Sequence, residues 1–173
     1  MDIEYIKNSI RNIPDFPQQG IQYKDITTLL MNPKIFKDCI NLFYKKFKDD
    51  DIDAVVGIES RGFIFAAPLA LKLNCSLVLA RKPGKLPADK ISETYELEYG
   101  TDSLEMHIDS IKKGDNVLIM DDLLATGGTA FSVIKLINNL GGKVQAMAFL
   151  ILLLGLGGKE KLDVPEVYSI LEF

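Results

Sequence analysis

The sequence predicts an α/β fold, a mostly parallel, twisted sheet flanked by helices, carrying a hairpin that serves as a hood or lid. Three observations predict it. The runs 53–58, 77–80, 117–120, 143–154 and 167–171 are apolar without alternation, as strands buried on both faces are. Segments with apolar residues at helical spacing lie between several of them. Strand and helix patterns therefore alternate along the chain, and that order gives a parallel sheet covered on both sides. Ligands of such sheets sit beyond the carboxyl ends of the strands. The loops beginning at Glu59, Arg81 and Asp121 all follow strands, so they are expected to open on one edge.

The bulk properties bound the rest. A chain of 173 residues can fill one core, and one domain over residues 1–173 is expected. The composition, 47% hydrophobic and 25% charged, is that of a globular protein. A net charge of −4 gives no basic footprint, so nucleic acid is not an expected partner. Cys39 and Cys75 fit a reduced, cytoplasmic setting, and no Cys/His cluster points to structural zinc. The acidic start does not read as a signal peptide. The longest apolar run, 146–156, is well short of the roughly 20 residues that a membrane helix needs, so no membrane role is expected.

In chain order, Ile3, Ile6, Ile10 and Ile13 predict one helix over residues 2–12. Residues 14–26 contain Pro14, Pro17 and Gly20, and no regular element is expected there, only a packed segment. Asn32-Pro33 is a helix start, with Asn as cap and Pro in the first turn. Phe36, Cys39, Ile40, Phe43 and Phe47 carry its apolar face to Lys48. Asp49-Asp50-Asp51 reads as a solvated loop. A strand to Ile58, the loop Glu59-Ser60-Arg61-Gly62 and a helix over 63–73 form a strand–loop–helix unit. Residues 82–108 begin basic and broken by Pro83, Gly84 and Pro87. They then alternate, with Tyr95, Leu97 and Tyr99 on one face and Leu104, Met106 and Ile108 on another. That pattern predicts a two-stranded hairpin on a mobile loop. The only histidine, His107, falls opposite Met106 and is expected to be exposed.

Residues 117–129 carry the chemistry. A short apolar strand is expected to end before Asp121-Asp122, and Ala125-Thr126-Gly127-Gly128-Thr129 lead into a helix with Phe131, Ile134, Ile137 and Leu140 on one face. Loop amides and a helix N-terminus hold phosphate. Carboxylates hold hydroxyls or face a developing positive charge. A capped strand and glycine turn would look similar without any function, but here both aspartates, both glycines and both threonines are present. The segment suits a phosphorylated sugar. Arg61, Lys82 and Lys85 are candidate partners for further phosphates, although a surface lysine such as Lys85 more often serves only solubility. Ser60 does not complete a nucleophile elbow, because Ile58 stands where glycine is needed.

Behind its apolar strand, the segment 120–129 resembles the phosphoribosyl pyrophosphate (PRPP) motif of type I phosphoribosyltransferases. Pro14-Asp15-Phe16-Pro17, Glu59-Ser60-Arg61-Gly62-Phe63, Arg81-Lys82-Pro83-Gly84-Lys85-Leu86-Pro87 and Tyr95-x-Leu97-Glu98-Tyr99-Gly100 resemble the adenine phosphoribosyltransferase family. The resemblance implies transfer of the phosphoribosyl group of PRPP to adenine, giving AMP and pyrophosphate in purine salvage. It implies Mg²⁺ held mainly by PRPP and pyrophosphate, with no certain protein ligand, and a cytoplasmic homodimer. Asp121, Asp122, Ala125, Thr126, Gly127, Gly128 and Thr129 would take the ribose and its phosphate. Glu59, Ser60, Arg61, Arg81, Lys82 and Lys85 would take pyrophosphate. Gln22, Tyr23 and Lys24, in the N-terminal region 1–31, would read adenine. Glu98 matches a catalytic glutamate that handles protons on the imidazole ring, and Tyr99 belongs to the same hood. A cis peptide is implied at Glu59-Ser60. Lys24 stands where arginine is common, Glu59 where aspartate is frequent, and Leu152 where glutamate often stands.

Overall fold

A computed structural model describes residues 3–96 and 100–173. The chain opens with a short helix, α1 (Ile3–Lys7), and a strand pair, β1 (Arg11–Pro14) and β2 (Gln22–Asp25). Both depart from expectation. The helix expected over 2–12 ends at Lys7, where Ser9 Oγ donates back to the Ile6 carbonyl at 2.6 Å. Arg11 then runs antiparallel to Asp25, and Pro14 lies opposite Gln22. Pro14 ends β1 and β1–β2 is a separate two-stranded sheet, so proline costs the ladder little. Prolines and glycine exclude a long element here, but not two strands of four residues.

Next come α2 (Thr27–Leu30) and α3 (Pro33–Phe47). The Asn32 side chain accepts from the amides of Lys34 and Ile35 at 3.1 and 3.2 Å, as its cap position predicts. Residues 49–51 are exposed loop. β3 (Ala54–Ile58), α4 (Gly62–Leu73) and β4 (Ser76–Ala80) follow, then the hairpin β5 (Lys90–Glu96) and β6 (Thr101–His107). The chain ends with β7 (Asn116–Leu124), α5 (Gly128–Leu140), β8 (Lys143–Leu152) and β9 (Val167–Glu172).

One parallel sheet has the order β4-β3-β7-β8-β9. Its inner strands β3, β7 and β8 are apolar on both faces because both are covered, whereas edge strand β4, expected to be buried on both faces, leaves Leu77 and Leu79 exposed because no further strand or helix among the described residues covers that side. Along β7, Leu118 and Met120 join Phe43, Phe47 and Phe65 from α3 and α4. Val117 and Ile119 join Val133 and Ile137 of α5, with Leu104 and Met106 of the hairpin. The expected face of Leu104 and Met106 is thus buried, while Ile108, expected with them, lies past the strand and is 49% exposed. His107 is half-buried rather than exposed, and its Nε2 accepts from the Ala88 amide at 3.4 Å. Leu152 is buried in the core beside Leu162, where an apolar side chain belongs.

The acidic pair also lies differently from expectation. β7 does not stop at Met120: Asp121 pairs with Phe149, and the ladder continues to Leu124 opposite Leu152. The long apolar β8 supplies a partner for these extra residues, so Asp121 and Asp122 are strand residues and only residues 125–127 form the connection to α5.

Candidate active site

Parallel pairing places the carboxyl ends of β3, β4 and β7 along one edge, and a cavity of about 420 Å³ opens there. Residues from all three following loops line it: Glu59, Ser60 and Arg61; Lys82; and residues 121–130. The shared edge expected from the sequence is therefore present. Arg81 and Lys85 are not among the lining residues.

One wall is the start of α5. Gly127 adopts φ +83° and no side chain caps the helix, so its first amides are left for whatever occupies the cavity. This wall is braced from behind in a way the sequence did not reveal. A Cβ on Gly158 would meet the Ala125 carbonyl oxygen at 2.0 Å, and one on Gly127 would meet the Gly158 oxygen at 2.8 Å. Backbone rests on backbone, and only glycine fits. Gly155, Gly157 and Gly158 make residues 155–158 a glycine-rich turn by composition alone, and close approach between distant segments leaves no further local pattern.

The acidic pair forms the floor. Asp121 Oδ1 accepts from the Asp122 amide at 2.8 Å. Asp122 is 3% exposed, and its Oδ2 has no hydrogen-bond partner among the described residues, although Arg61 Nε stands 3.0 Å away as an ion pair. Burial pushes both carboxyls up. For Asp121 the neighbouring Asp122 charge adds to that rise, and for Asp122 the Arg61 guanidinium opposes it. Two carboxylates this close favour a ligand that brings hydroxyl donors or positive charge. Gly62 lets α4 approach them: a Cβ there would stand 2.7 Å from the Met120 oxygen and 2.9 Å from Asp121 Oδ1.

Arg61 ties this floor to the N-terminal segment. Its Nη1 donates to the Tyr23 hydroxyl at 2.5 Å, and Phe16 packs edge-on to Tyr23 with ring centroids 5.1 Å apart. Tyr23 thus reaches the site through Arg61 without lining the cavity. Gln22 and Lys24 point their polar ends elsewhere. Gln22 Oε1 accepts from Asn12 at 2.6 Å, while Lys24 Nζ donates to Asn12 Oδ1 at 3.1 Å and lies over the Phe173 ring.

Glu59 and Ser60 are joined by a cis peptide, as the resemblance implies. Glu59 Oε2 accepts from the Lys82 amide at 2.8 Å and from Arg81 Nε at 3.3 Å. Burial alone would raise its carboxyl, and these donors bring it below the usual value. Glu59 therefore shapes the loop that carries the cations. Arg81 also donates to the Lys85 carbonyl at 3.2 Å. Lys82 does enter the cavity, beside Tyr95 of the hairpin. Tyr95 is a lining residue that the sequence did not single out, although its place on the buried face of the alternation was the available signal. Glu98 and Tyr99 lie outside the described residues.

Among the described residues no group of three or more His, Cys, Asp or Glu side chains could hold a metal. A cation at the floor would find the Asp121 and Asp122 carboxylates there and would take further oxygens from a ligand.

A polar floor, uncapped helix amides and two cations around one cavity define a site for a phosphorylated sugar on a parallel α/β sheet. Comparison with known proteins agrees. The phosphoribosyl transferase domain family model matches residues 25–169, so the chain belongs to that family. Within it, the chain stands among the adenine phosphoribosyltransferases. It is 52% identical over 173 residues to adenine phosphoribosyltransferase of Escherichia coli, a match covering 99% of this chain and 94% of that one. A crystal structure of the enzyme from Thermoanaerobacter pseudethanolicus superposes with a TM-score of 0.96 at 48% identity, over 99% of this chain and 100% of that chain. Another, from Saccharomyces cerevisiae, is complexed with an iminoaltritol bisphosphate and adenine. It has a TM-score of 0.93 at 38% identity, over 98% of each chain.

Proposed function

We propose that this chain transfers the phosphoribosyl group of PRPP to adenine, giving AMP and pyrophosphate in purine salvage. The observation that carries the reading is the cavity itself, which residues 125–129, Arg61, Lys82 and the paired carboxylates line together, with Arg61 in an ion pair with Asp122. The 5-phosphate is taken by the Ala125–Thr129 amides and the Thr126 and Thr129 hydroxyls at the helix start. The ribose hydroxyls meet Asp121 and Asp122. Pyrophosphate meets Arg61 and Lys82, with Arg81 and Glu59 holding the loop in shape. Adenine lies on the side of residues 22–24, which Arg61 joins to the floor through Tyr23.

Chemically, the C1–O bond to pyrophosphate breaks as an imidazole nitrogen of adenine bonds to C1. The state between has oxocarbenium character, as in other displacements at an anomeric carbon, and the carboxylate floor stabilises it. The proton released from the imidazole ring goes to Glu98. Mg²⁺ would be held mainly by phosphate oxygens of the substrate, with Asp121 or Asp122 as protein oxygens that could meet it, and would supply neutralisation of charge on the leaving group. The working form is a homodimer in the cytoplasm, testable by sedimentation and by cell fractionation.

The test is AMP formation by purified protein with Mg²⁺ and PRPP, run beside guanine, xanthine and orotate. Absence of turnover with adenine, or preference for another base, overturns the reading. Replacing Glu98 by Gln is expected to lower turnover far more than it weakens PRPP binding. Equal loss of both would reduce Glu98 to a structural role.

A further inference from the structure

Lys82 follows β4 and lines the cavity, yet its ammonium is held by the hairpin. Nζ hydrogen-bonds Oδ2 of Asp102 on β6 and donates to the Tyr95 hydroxyl on β5 at 3.2 Å. The same hydroxyl donates to Asp102 Oδ2 at 3.3 Å, and Asp102 Oδ1 accepts from the Ser103 amide at 2.7 Å. Tyr95 is only 8% exposed, so it is a fixed wall. The backbone of Lys82 is fixed separately, by Glu59 on its amide.

An ammonium has three donors. Asp102 and Tyr95 take two, and the third remains for the cavity. A free lysine has a flexible four-carbon stem, and ordering it costs side-chain entropy. Here that ordering is done before any ligand arrives. The groups doing it lie on the hairpin, 13 and 20 residues further along the chain.

We propose that Asp102 is a positioning residue of the pyrophosphate site. Through its bond to Lys82 it aims that ammonium into the cavity, making the hairpin part of the leaving-group site. The proposal rests on the reading above that Lys82 meets the pyrophosphate of PRPP. Asp102 plays two opposing parts. As an acceptor it orders Lys82, and as a negative charge it repels the anion. Substitution separates them: Asp102→Asn keeps an acceptor oxygen and removes the charge, whereas Asp102→Ala removes both.

The experiment is calorimetric titration of the full chain with inorganic pyrophosphate and Mg²⁺, alongside steady-state kinetics. Asp102→Ala is expected to weaken pyrophosphate binding about three- to tenfold and to raise KM for PRPP by a similar factor, leaving KM for adenine unchanged. Asp102→Asn is expected to bind at least as tightly as the parent. Tyr95→Phe, which removes the other acceptor and keeps the ring, should weaken binding about twofold and serves if Asp102→Ala does not fold. In a Lys82→Met background the weakening by Asp102→Ala and by Tyr95→Phe should vanish, leaving at most the gain from removing the Asp102 charge, which a merely structural role would not produce. Parent-like binding by Asp102→Ala, or equal weakening by Ala and Asn that persists without Lys82, overturns the proposal. Unchanged pyrophosphate affinity in Lys82→Met alone overturns the reading of Lys82 itself, a separately visible failure.

Discussion

Replacing Gly158 by Ala adds one methyl group at a point where two backbones touch. The new carbon would stand 2.0 Å from the Ala125 carbonyl oxygen, 2.8 Å from its carbon and 3.1 Å from the Gly127 nitrogen. Carbon and oxygen need roughly 3.2 Å, so the two segments must part by about 1 Å. No side chain can yield, because all three of these neighbours are main chain. Overpacking of this kind costs about 1–3 kcal/mol of stability. The effect on activity should be larger, since the displaced residues, 125–127, line the cavity where the phosphate is proposed to bind. A misplacement of about 1 Å is worth about 100-fold in rate, near 2.7 kcal/mol at 1.36 kcal/mol per decade. Initial rates of AMP formation against PRPP, at saturating adenine, should show kcat/KM for PRPP falling by that order, with a folded protein by circular dichroism. Gly157→Ala is the control. Gly157 has positive φ, +68°, but its Cβ would meet nothing within 4 Å, so only about 1 kcal/mol of stability should be lost and PRPP kinetics kept. A folded Gly158→Ala protein with parent-like kcat/KM would refute the claim that this backbone contact shapes the phosphate site.

Two further outcomes follow from the same geometry. Gly62→Ala places a carbon 2.7 Å from the Met120 oxygen and 2.9 Å from Asp121 Oδ1, and should cost about 1–3 kcal/mol in urea unfolding and lower kcat by shifting the acidic pair. Asp25 is held at about 2, below its ordinary 3.8, by the Thr27 amide and the Arg11 guanidinium. A depressed carboxyl contributes stability that is fully present above pH 3.8 and lost as pH falls toward 2. Discounted for the exposed Arg11 side chain, that contribution is about 1–2 kcal/mol, and Asp25→Asn should remove this acid-labile part in pH-dependent unfolding.

Several elements were legible because their causes are local. Asn32 caps α3 through amides two and three residues away, and Gly141 ends α5 with its own positive φ of +89°. The strand and helix alternation gave the sheet, and the order of Asp121, Asp122 and the glycine loop marked the candidate site, since those residues line one cavity from one stretch. Helical spacing over residues 2–12 misled, because Ile6 alone of α1 is buried and Arg11 is drawn into a strand by Asp25, fourteen residues on.

The sequence by itself thus determined the class of fold, the loop that lines the cavity and the family, all written in contiguous residues. Only the tertiary structure decided how the parts cooperate. It placed Gly158 under Ala125, joined Arg61 to Tyr23, extended β7 through the acidic pair and gave Lys82 to Asp102. Each of these depends on a partner brought close by the sheet's parallel order. A residue's own chemistry and its immediate neighbours carry no record of such a partner until the strands have paired.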